Sequence, residues 1–414
     1  MLNILINAYA VAPNWGSEQG MGWNWIINIA KHCKCYVITE GEWQKEIEEA
    51  LLELPQKENI KFYYNPVSEK VRKMCWNQGD WRFYYYYHKW QKKTLAIAQQ
   101  ICKEEKIDIT HQLNMIGFRE PGLLWRIKGI PHVWGPIGGM ENIPTSFLKD
   151  INWKYRTFLT LKNMINQLQY KYKQNVRKAI KHSDILVAAV SGVKTIIEKE
   201  YNKPVILINE TGCKIDTNNE TSIKKDKKDD NTLNIIWVGK FDFRKQLELA
   251  LSAIAKVKHI NVKLHICGTG NEQQINYYSQ MCKTLDITDK CIWHGQTKHD
   301  VVLKLMKECD ALLFTSISEG TPHVVLEAIS NDLPVICHDV CGQGDIVTDE
   351  TGFKIELSTA KESSAKFGKI LENIYNNRNI IKDKSNNCQK RKLELSWEVK
   401  TQQMIEIYNK LITM

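Results

Sequence analysis

The chain has 414 residues, 43% hydrophobic and 25% charged, enough for two domains with cores of their own and too ordinary a balance for a disordered polypeptide. A formal charge of +10 asks for anionic company, a phosphorylated small molecule or an anionic lipid surface; with no zinc-finger, RNP-type or helix-turn-helix pattern beside the charge, nucleic acid is not expected. The 12 cysteines are scattered without zinc-site spacing, no stretch approaches the roughly 18 apolar residues of a membrane span, and the first residues lack a signal peptide's basic lead and cleavage site, so a cytoplasmic protein with reduced thiols and no metal is expected.

In chain order, Leu2–Ala8 reads as a buried first strand, and a loop holding Asn14, Gly16 and Ser17 leads into a helix from Gly20 with Trp23, Ile26, Ile27 and Ala30 inward. A glycine-bearing loop at this place lets a diphosphate approach the backbone closely. Gly16-x-x-x-Gly20-x-Gly22 is not the dinucleotide fingerprint, so NAD binding is not expected, and a plain turn is the alternative. Val37–Thr39 and Ile60–Tyr64 read as further strands. Between Trp76 and Trp90 aromatic residues fall on every side of any helix, which suits burial on several faces, a sugar platform or a membrane interface.

Asp108–His111 closes another strand, with His111 projecting from its carboxyl end into the crevice that holds Gly16; an isolated histidine is otherwise a satisfied core or surface residue. The strand Pro131–Trp134 runs into a glycine-rich loop with Gly138, Gly139 and Glu141, a wall of an acceptor pocket or a structural turn. Residues 151–181 carry eight Lys or Arg and no Asp or Glu, with Trp153, Phe158, Leu161, Ile165 and Leu168 interleaved. Such a basic amphipathic region suits docking on anionic lipid or plain solvation of an outer helix face. A strand and helix to Tyr201 and a last strand Val205–Ile208 complete a first domain, 1–212, and the polar residues 213–232 read as a linker.

From 233 to 395 strands and helices alternate with short connections, which specifies a parallel doubly wound sheet. After the strand Leu233–Val238 come three cations, Lys240, Arg244 and Lys245, a diphosphate clamp or a solvated cluster. Further strand-end loops hold Gly268 and His294. The strand Ala311–Phe314 ends in a polar loop carrying Glu319, followed by a helix His323–Asn331 that holds Glu327. The backbone N–H groups of Thr321, His323 and Val324, at that helix's start, can face the oxygens of a phosphate or sugar.

The order strand, serine-rich loop, Glu319-Gly320-Thr321-Pro322-His323, helix, Glu327-Ala328, then Pro334 opening another strand resembles the retaining nucleotide-sugar glycosyltransferases of the group 1 family, glycosyltransferase family 4. The resemblance implies two Rossmann-like doubly wound parallel-sheet domains of α/β class, the GT-B fold, facing each other across a cleft, with the helix of residues 396–414 crossing back to the first domain. It implies His111 and Glu319 as catalytic residues, His111 reaching the donor sugar. Gly16, Lys240, Arg244 and Lys245 would meet the donor diphosphate; Lys240 stands where the family has Arg, and Gln246 where it has Gly. Glu319, Gly320, Thr321, Pro322, His323, Val324 and Glu327 would hold the donor sugar and ribose, Gly268 and His294 the base, and Ser17, Gly138, Gly139 and Glu141 the acceptor side.

The resemblance therefore implies a retaining hexosyltransferase using a UDP- or GDP-sugar, without cofactor or metal, since no Asp-x-Asp stands in the cleft loops. Its acceptor would be a saccharide, lipid-linked, in bacterial surface polysaccharide synthesis, with the enzyme peripheral on an anionic membrane. A GT-B-fold nucleotide-sugar epimerase and a non-catalytic basic membrane- or RNA-binding protein are the alternatives.

Overall fold

The computed structural model describes residues 1–77, 80–149, 151–215 and 231–413, so most of the expected linker lies outside the described residues. The chain divides into two compact units, one of Met1–Glu141, Lys162–Thr211 and Trp397–Met414, the other of Asn142–Leu161 and Gly212–Ser396.

The first unit holds a parallel sheet of β1 (Asn3–Asn7), β2 (Lys34–Thr39), β3 (Ile60–Tyr64), β4 (Ile109–Gln112), β5 (His132–Ile137), β6 (Ile185–Ala188) and β7 (Val205–Leu207), in the order β3-β2-β1-β4-β5-β6-β7. Successive residues of β1 serve opposite faces: Ile4 and Ile6 pack with Trp25 and Ile26 of the helix Ser17–Ile29, while Leu5 packs with Ala98 and Ile101 of the helix Arg82–Glu104. A parallel sheet covered on both faces needs such continuously apolar strands. The helix Trp397–Thr413 completes this core, with the Trp397 ring edge-on to Trp25 at 5.5 Å.

In the second unit β8 (Leu233–Val238), β9 (Val262–Cys267), β10 (Cys291–Gly295), β11 (Ala311–Phe314), β12 (Val335–His338) and β13 (Gly352–Ile355) form a parallel sheet ordered β10-β9-β8-β11-β12-β13. Ile235, Trp237 and Leu313 line one face; Ile236, Leu312 and Phe314 line the other, against Val325 and Ile329 of the helix His323–Ser330. Phe147, Leu148 and Leu159, from residues 142–161, join this unit's core.

Both sheets are doubly wound and reverse direction beside their first strand, at β1/β4 and at β8/β11. Loops leaving neighbouring strands part to opposite faces there and open a crevice at the carboxyl ends. The Gly16 loop follows β1, the Lys240–Lys245 loop follows β8, and the Glu319 loop follows β11.

The aromatic segment resolves into two helices, Glu69–Trp76 and Arg82–Glu104. Phe83, Tyr87 and Trp90, at helical spacing, are buried, while Trp81, Tyr84 and Tyr85 are exposed. The helix Trp153–Tyr172 buries Leu159, Asn166 and Tyr170, whereas Phe158, Leu161, Ile165, Leu168 and Tyr172, on the opposite side, are 44–65% exposed. Its outward face is therefore apolar. Among the described residues no helix is long and apolar enough to cross a membrane. The twelve cysteines form no disulfide, and ten of them are buried.

Candidate active site

Because β8 and β11 are neighbours, the loops that follow them meet. The Ile317 N–H donates to Arg244 O at 2.9 Å. The Thr315 hydroxyl lies 2.8 Å from Lys245 O and 2.9 Å from Gln246 O, and accepts from Trp237 Nε1 at 3.0 Å. These bonds set Lys245 against Glu319, Nζ to Oε1 2.7 Å, with the side chains 18% and 14% exposed. The contact is short and largely out of water, where the attraction between the two charges is offset by their desolvation. Lys245 Nζ also lies 5.2 Å from the centre of the Phe314 ring.

The other two cations differ in state. Arg244 is exposed and pairs with Asp242 at 3.1 Å. Lys240 is exposed, and among the described residues no carboxylate pairs with it. Gln246, where the family has Gly, adopts the left-handed conformation at φ 51° that favours glycine, and its side-chain amide donates to Phe243 O at 2.7 Å.

Gly320 is backed by the short helix Cys341–Ile346 that follows β12: a methyl group on Gly342 would fall 2.1 Å from Gly320 O. Gln343 donates to Ser316 O at 3.1 Å from the same direction. The helix His323–Ser330 starts at Pro322 without a side-chain cap, which leaves the N–H groups of His323 and Val324 without the side-chain acceptor that a capped helix supplies. Glu327 Oε1 contacts His299 Nε2 at 2.9 Å.

Gly268 cannot carry a side chain, since a Cβ there would fall 1.8 Å from Gly239 O. His294 stacks on His265 with ring centres 5.3 Å apart, its Nε2 3.1 Å from His265 Nδ1. Burial, then the His294 ring, lowers the pKa of His265.

In the first unit Gly16 ends the first loop, while Gly20 and Gly22 lie within the helix Ser17–Ile29. A Cβ on Gly20 would lie 1.8 Å from Trp15 O and one on Gly22 2.5 Å from Ala10 O, whereas one on Gly16 meets nothing within 4 Å. Gly16 also sits at φ −88°, open to any residue. Ser17, at φ 55°, is exposed beside it.

His111 does not project from the carboxyl end of its strand: it lies within β4, is fully buried, and both ring nitrogens are satisfied, Nδ1 at 2.6 Å from the Tyr408 hydroxyl and Nε2 at 2.7 Å from Gly135 O. Burial holds its pKa down to about 4, so the ring is neutral and its Nε2–H donates to Gly135.

The loop after β5 is built into the scaffold. Gly138 N–H donates to Ile116 O at 2.7 Å and Phe118 N–H to Gly138 O at 3.2 Å, while Gly139 takes φ +77°. Glu141 lies over the first turn of the helix Ser191–Tyr201, where a methyl group on Gly192 would fall 2.0 Å from its Oε1. Gly138, Gly139 and Glu141 thus have structural duties in this unit.

Glu18 is a further candidate that the sequence did not single out, although it follows directly in the run Gly16-Ser17-Glu18. Its Oε1 accepts the Ile116 N–H at 2.7 Å, and it faces a cavity of about 290 Å³. Burial, opposed by that N–H and reinforced by Glu210, raises its pKa to about 7.

Residues 218–387 match the family described as Glycosyl transferases group 1. The lipopolysaccharide 1,6-galactosyltransferase of Escherichia coli K12 is 34% identical over 122 residues, 28% of this chain and 33% of that protein. An uncharacterized glycosyltransferase of Methanocaldococcus jannaschii is 30% identical over 122 residues, 29% of this chain and 31% of that one. The matched segments span about a third of the length of these curated relatives.

Among solved structures, the lipopolysaccharide outer core galactosyltransferase WaaB superposes with a TM-score of 0.64 at 17% identity, covering 99% of this chain and 100% of that one. A glycosyltransferase from Rickettsia africae gives 0.62 at 16%, covering 99% and 98%. HepE of Anabaena in complex with UDP gives 0.59 at 13%, covering 99% and 100%. At such identities the likeness carries the fold, two Rossmann-like parallel-sheet domains of the GT-B class, as the sequence led one to expect.

Proposed function

From the match of residues 218–387 to the glycosyl transferases group 1 family we propose that the chain is a glycosyltransferase that transfers a hexose from a UDP- or GDP-sugar to a saccharide acceptor, with retention and without a metal ion. The observation that carries this reading is the Lys245–Glu319 pair at the β8/β11 switch point. It sets an ammonium for a departing diphosphate beside a carboxylate for sugar hydroxyls. In the step proposed, the bond from the anomeric carbon to the phosphate oxygen breaks while the acceptor oxygen bonds that carbon on the same face. The acceptor proton passes to the departing phosphate. Lys245, Lys240 and the N–H groups at the start of the helix His323–Ser330 would meet the growing negative charge, with Glu319 holding the hexose and Glu327 the ribose hydroxyls.

Thermal unfolding with UDP, GDP, ADP, dTDP and CMP in turn, each with EDTA, tests the reading. A ligand that binds only the native state raises the midpoint by mass action. One nucleotide is expected to do so and thereby to name the donor's base; no shift with any of them, with or without magnesium, overturns the proposal. A shift that appears only with magnesium overturns the metal-free part.

Gly16→Ala is a clean probe of the first loop, because neither space nor backbone conformation opposes the methyl group. Unchanged stability with donor affinity about tenfold weaker is expected if the diphosphate approaches this backbone, of the order of one lost hydrogen bond. Unchanged affinity by calorimetry would remove Gly16 from the donor site.

A lipid-linked acceptor is supported by the helix Trp153–Tyr172, whose outward stripe is apolar in a region that lacks acidic residues. An interfacial helix needs an apolar face to bury among acyl chains and cations for anionic headgroups. Lys171 and Lys173 are paired with Glu200 and Glu120, so the stripe is the better target for mutation. Serine at Phe158, Ile165 and Leu168 together is expected to reduce binding to phosphatidylglycerol vesicles at least tenfold in flotation assays. Undiminished binding would dissociate this helix from the membrane.

A further inference from the structure

The first unit contains a cavity of about 290 Å³ whose lining includes Glu18, Phe83, Tyr84, Tyr87, Met115 and Glu120. We propose that this cavity seats the terminal sugar of the acceptor and selects a neutral or amino-bearing pyranose over a uronic acid or sugar phosphate, an inference that rests on the glycosyltransferase reading above.

Size and chemistry both point to one sugar ring. Ligand sites begin at about 300 Å³, so this one holds a monosaccharide. Tyr84, 42% exposed, offers an aromatic ring to the C–H side of a pyranose, while Phe83 and Tyr87, stacked on each other at 5.3 Å, add apolar wall. An ionised carboxylate, the state of Glu18 above pH 7, accepts hydrogen bonds from adjacent hydroxyls and has none to give to an anion. Of the carboxylates lining the cavity, Glu120 is matched by Lys173 at 2.6 Å, and Asp80 by Arg82 at 2.7 Å. Glu18 has only the Ile116 N–H on Oε1, with no cation within 4.0 Å among the described residues, so its second oxygen remains an acceptor for the ligand. Among the described residues Lys and Arg are absent from the lining, in a chain that carries +10 overall. A negatively charged sugar would be desolvated against Glu18 with no cation to receive it.

The cavity wall is also tied to the helix that presents the apolar stripe. Arg119 Nε donates to Gln169 at 2.7 Å and its Nη2 to Asn166 at 2.5 Å, while Lys173 Nζ holds both Glu120 and the Arg119 carbonyl, the latter at 2.8 Å. The inward side of that helix thus braces the sugar cavity, and the outward side is free for the lipid carrying the sugar.

Saturation-transfer NMR on the full chain, with methyl β-galactopyranoside, methyl β-glucopyranoside, glucosamine and glucuronic acid as probes, tests the proposal. At least one neutral or amino sugar is expected to give a signal, and glucuronic acid none. In Tyr84→Ala, which truncates a ring already 42% exposed, and in Glu18→Gln, which replaces the open acceptor oxygen by an amide donor while a carbonyl can keep the Ile116 bond, that signal should fall about tenfold. Equal signals in both variants, binding of glucuronic acid as strong as that of the neutral sugars, or no signal from any sugar would overturn the inference. Nucleotide-induced stabilisation, measured on the same samples, separates the cases: if it persists the cavity assignment alone falls, and if it is absent the glycosyltransferase reading falls with it.

Discussion

Glu319→Ala is expected to lower transfer by a factor of about 10²–10³ while leaving the thermal midpoint within a few degrees of the wild type. The magnitude is that of removing one preorganised polar partner from a site where charge develops, about 3–4 kcal/mol of barrier. The small effect on folding follows from geometry: Glu319 lies in a loop, 14% exposed, and the polar group that anchors it is Lys245. Once unpaired, Lys245 is still 18% exposed and retains the Phe314 ring, so solvent and the ring absorb part of the loss. A structural ion pair would behave in the reverse way. Lys245→Met and Glu319→Ala would then destabilise alike, and turnover per folded molecule would be unchanged; that pattern of steady-state kinetics and calorimetry would remove Glu319 from the reaction.

Glu18→Gln is expected to stabilise the protein at pH 8 by about 2 kcal/mol and to have no such effect near pH 4. In the folded chain this carboxyl is raised from the usual 4.5 to about 7, first by burial and then by Glu210, against the Ile116 N–H. A tenfold gain in proton affinity corresponds to about 1.4 kcal/mol, and the partial exposure of the side chain reduces the full sum. The folded state binds the proton more tightly than the unfolded chain, so the contribution is complete below pH 4.5 and is lost as pH rises through 7. The neutral amide has no such loss. Cys75 and Tyr87 share this environment and, held up by burial, stay protonated across the window. Urea denaturation at pH 4, 6 and 8 checks this, and parallel curves for the two proteins would show that Glu18 ionises normally. A carboxylate retained at such a cost to stability is a common feature of functional sites.

Much of the architecture was legible because it is local. Apolar strands of four to six residues alternate with amphipathic helices, so the two doubly wound sheets, their strand-end loops and the loop-helix placement of Glu319 and Glu327 follow from residues close in sequence. Partners distant in sequence were not legible. Tyr408, which satisfies His111, lies 297 residues away, and His299, which meets Glu327, lies 28 away on another helix. No period or motif links either pair.

The aromatic helix Arg82–Glu104 hid its inward stripe of Phe83, Tyr87 and Trp90 because Tyr84 and Tyr85 face outward. The helix Trp153–Tyr172 hid its outward stripe in the complementary way, since its inward side holds the polar Asn166 among its buried residues. In both, hydrophobicity alone fails to tell which side faces the core, and only the packed neighbours decide. Glu18 escaped for a related reason: the cavity it faces is walled by residues from 74–77, 80–87 and 115–120, segments brought together only by the fold.

The Lys245–Glu319 pair has a further effect on the company the protein keeps in a cell. Free phosphate and sulfate always surround a basic protein, and a cluster of bare cations at a strand end would bind them in place of substrate. Here Lys245 has its counter-ion built in, Arg244 has Asp242, and Lys240 meets no carboxylate among the described residues. A small inorganic anion would have to separate the Lys245 pair while offering nothing to the carboxylate left behind. On the proposed reading, a ligand with a diphosphate at one end and hydroxyls at the other would replace both halves at once, and the pair would act as a filter that only a molecule of two chemistries passes.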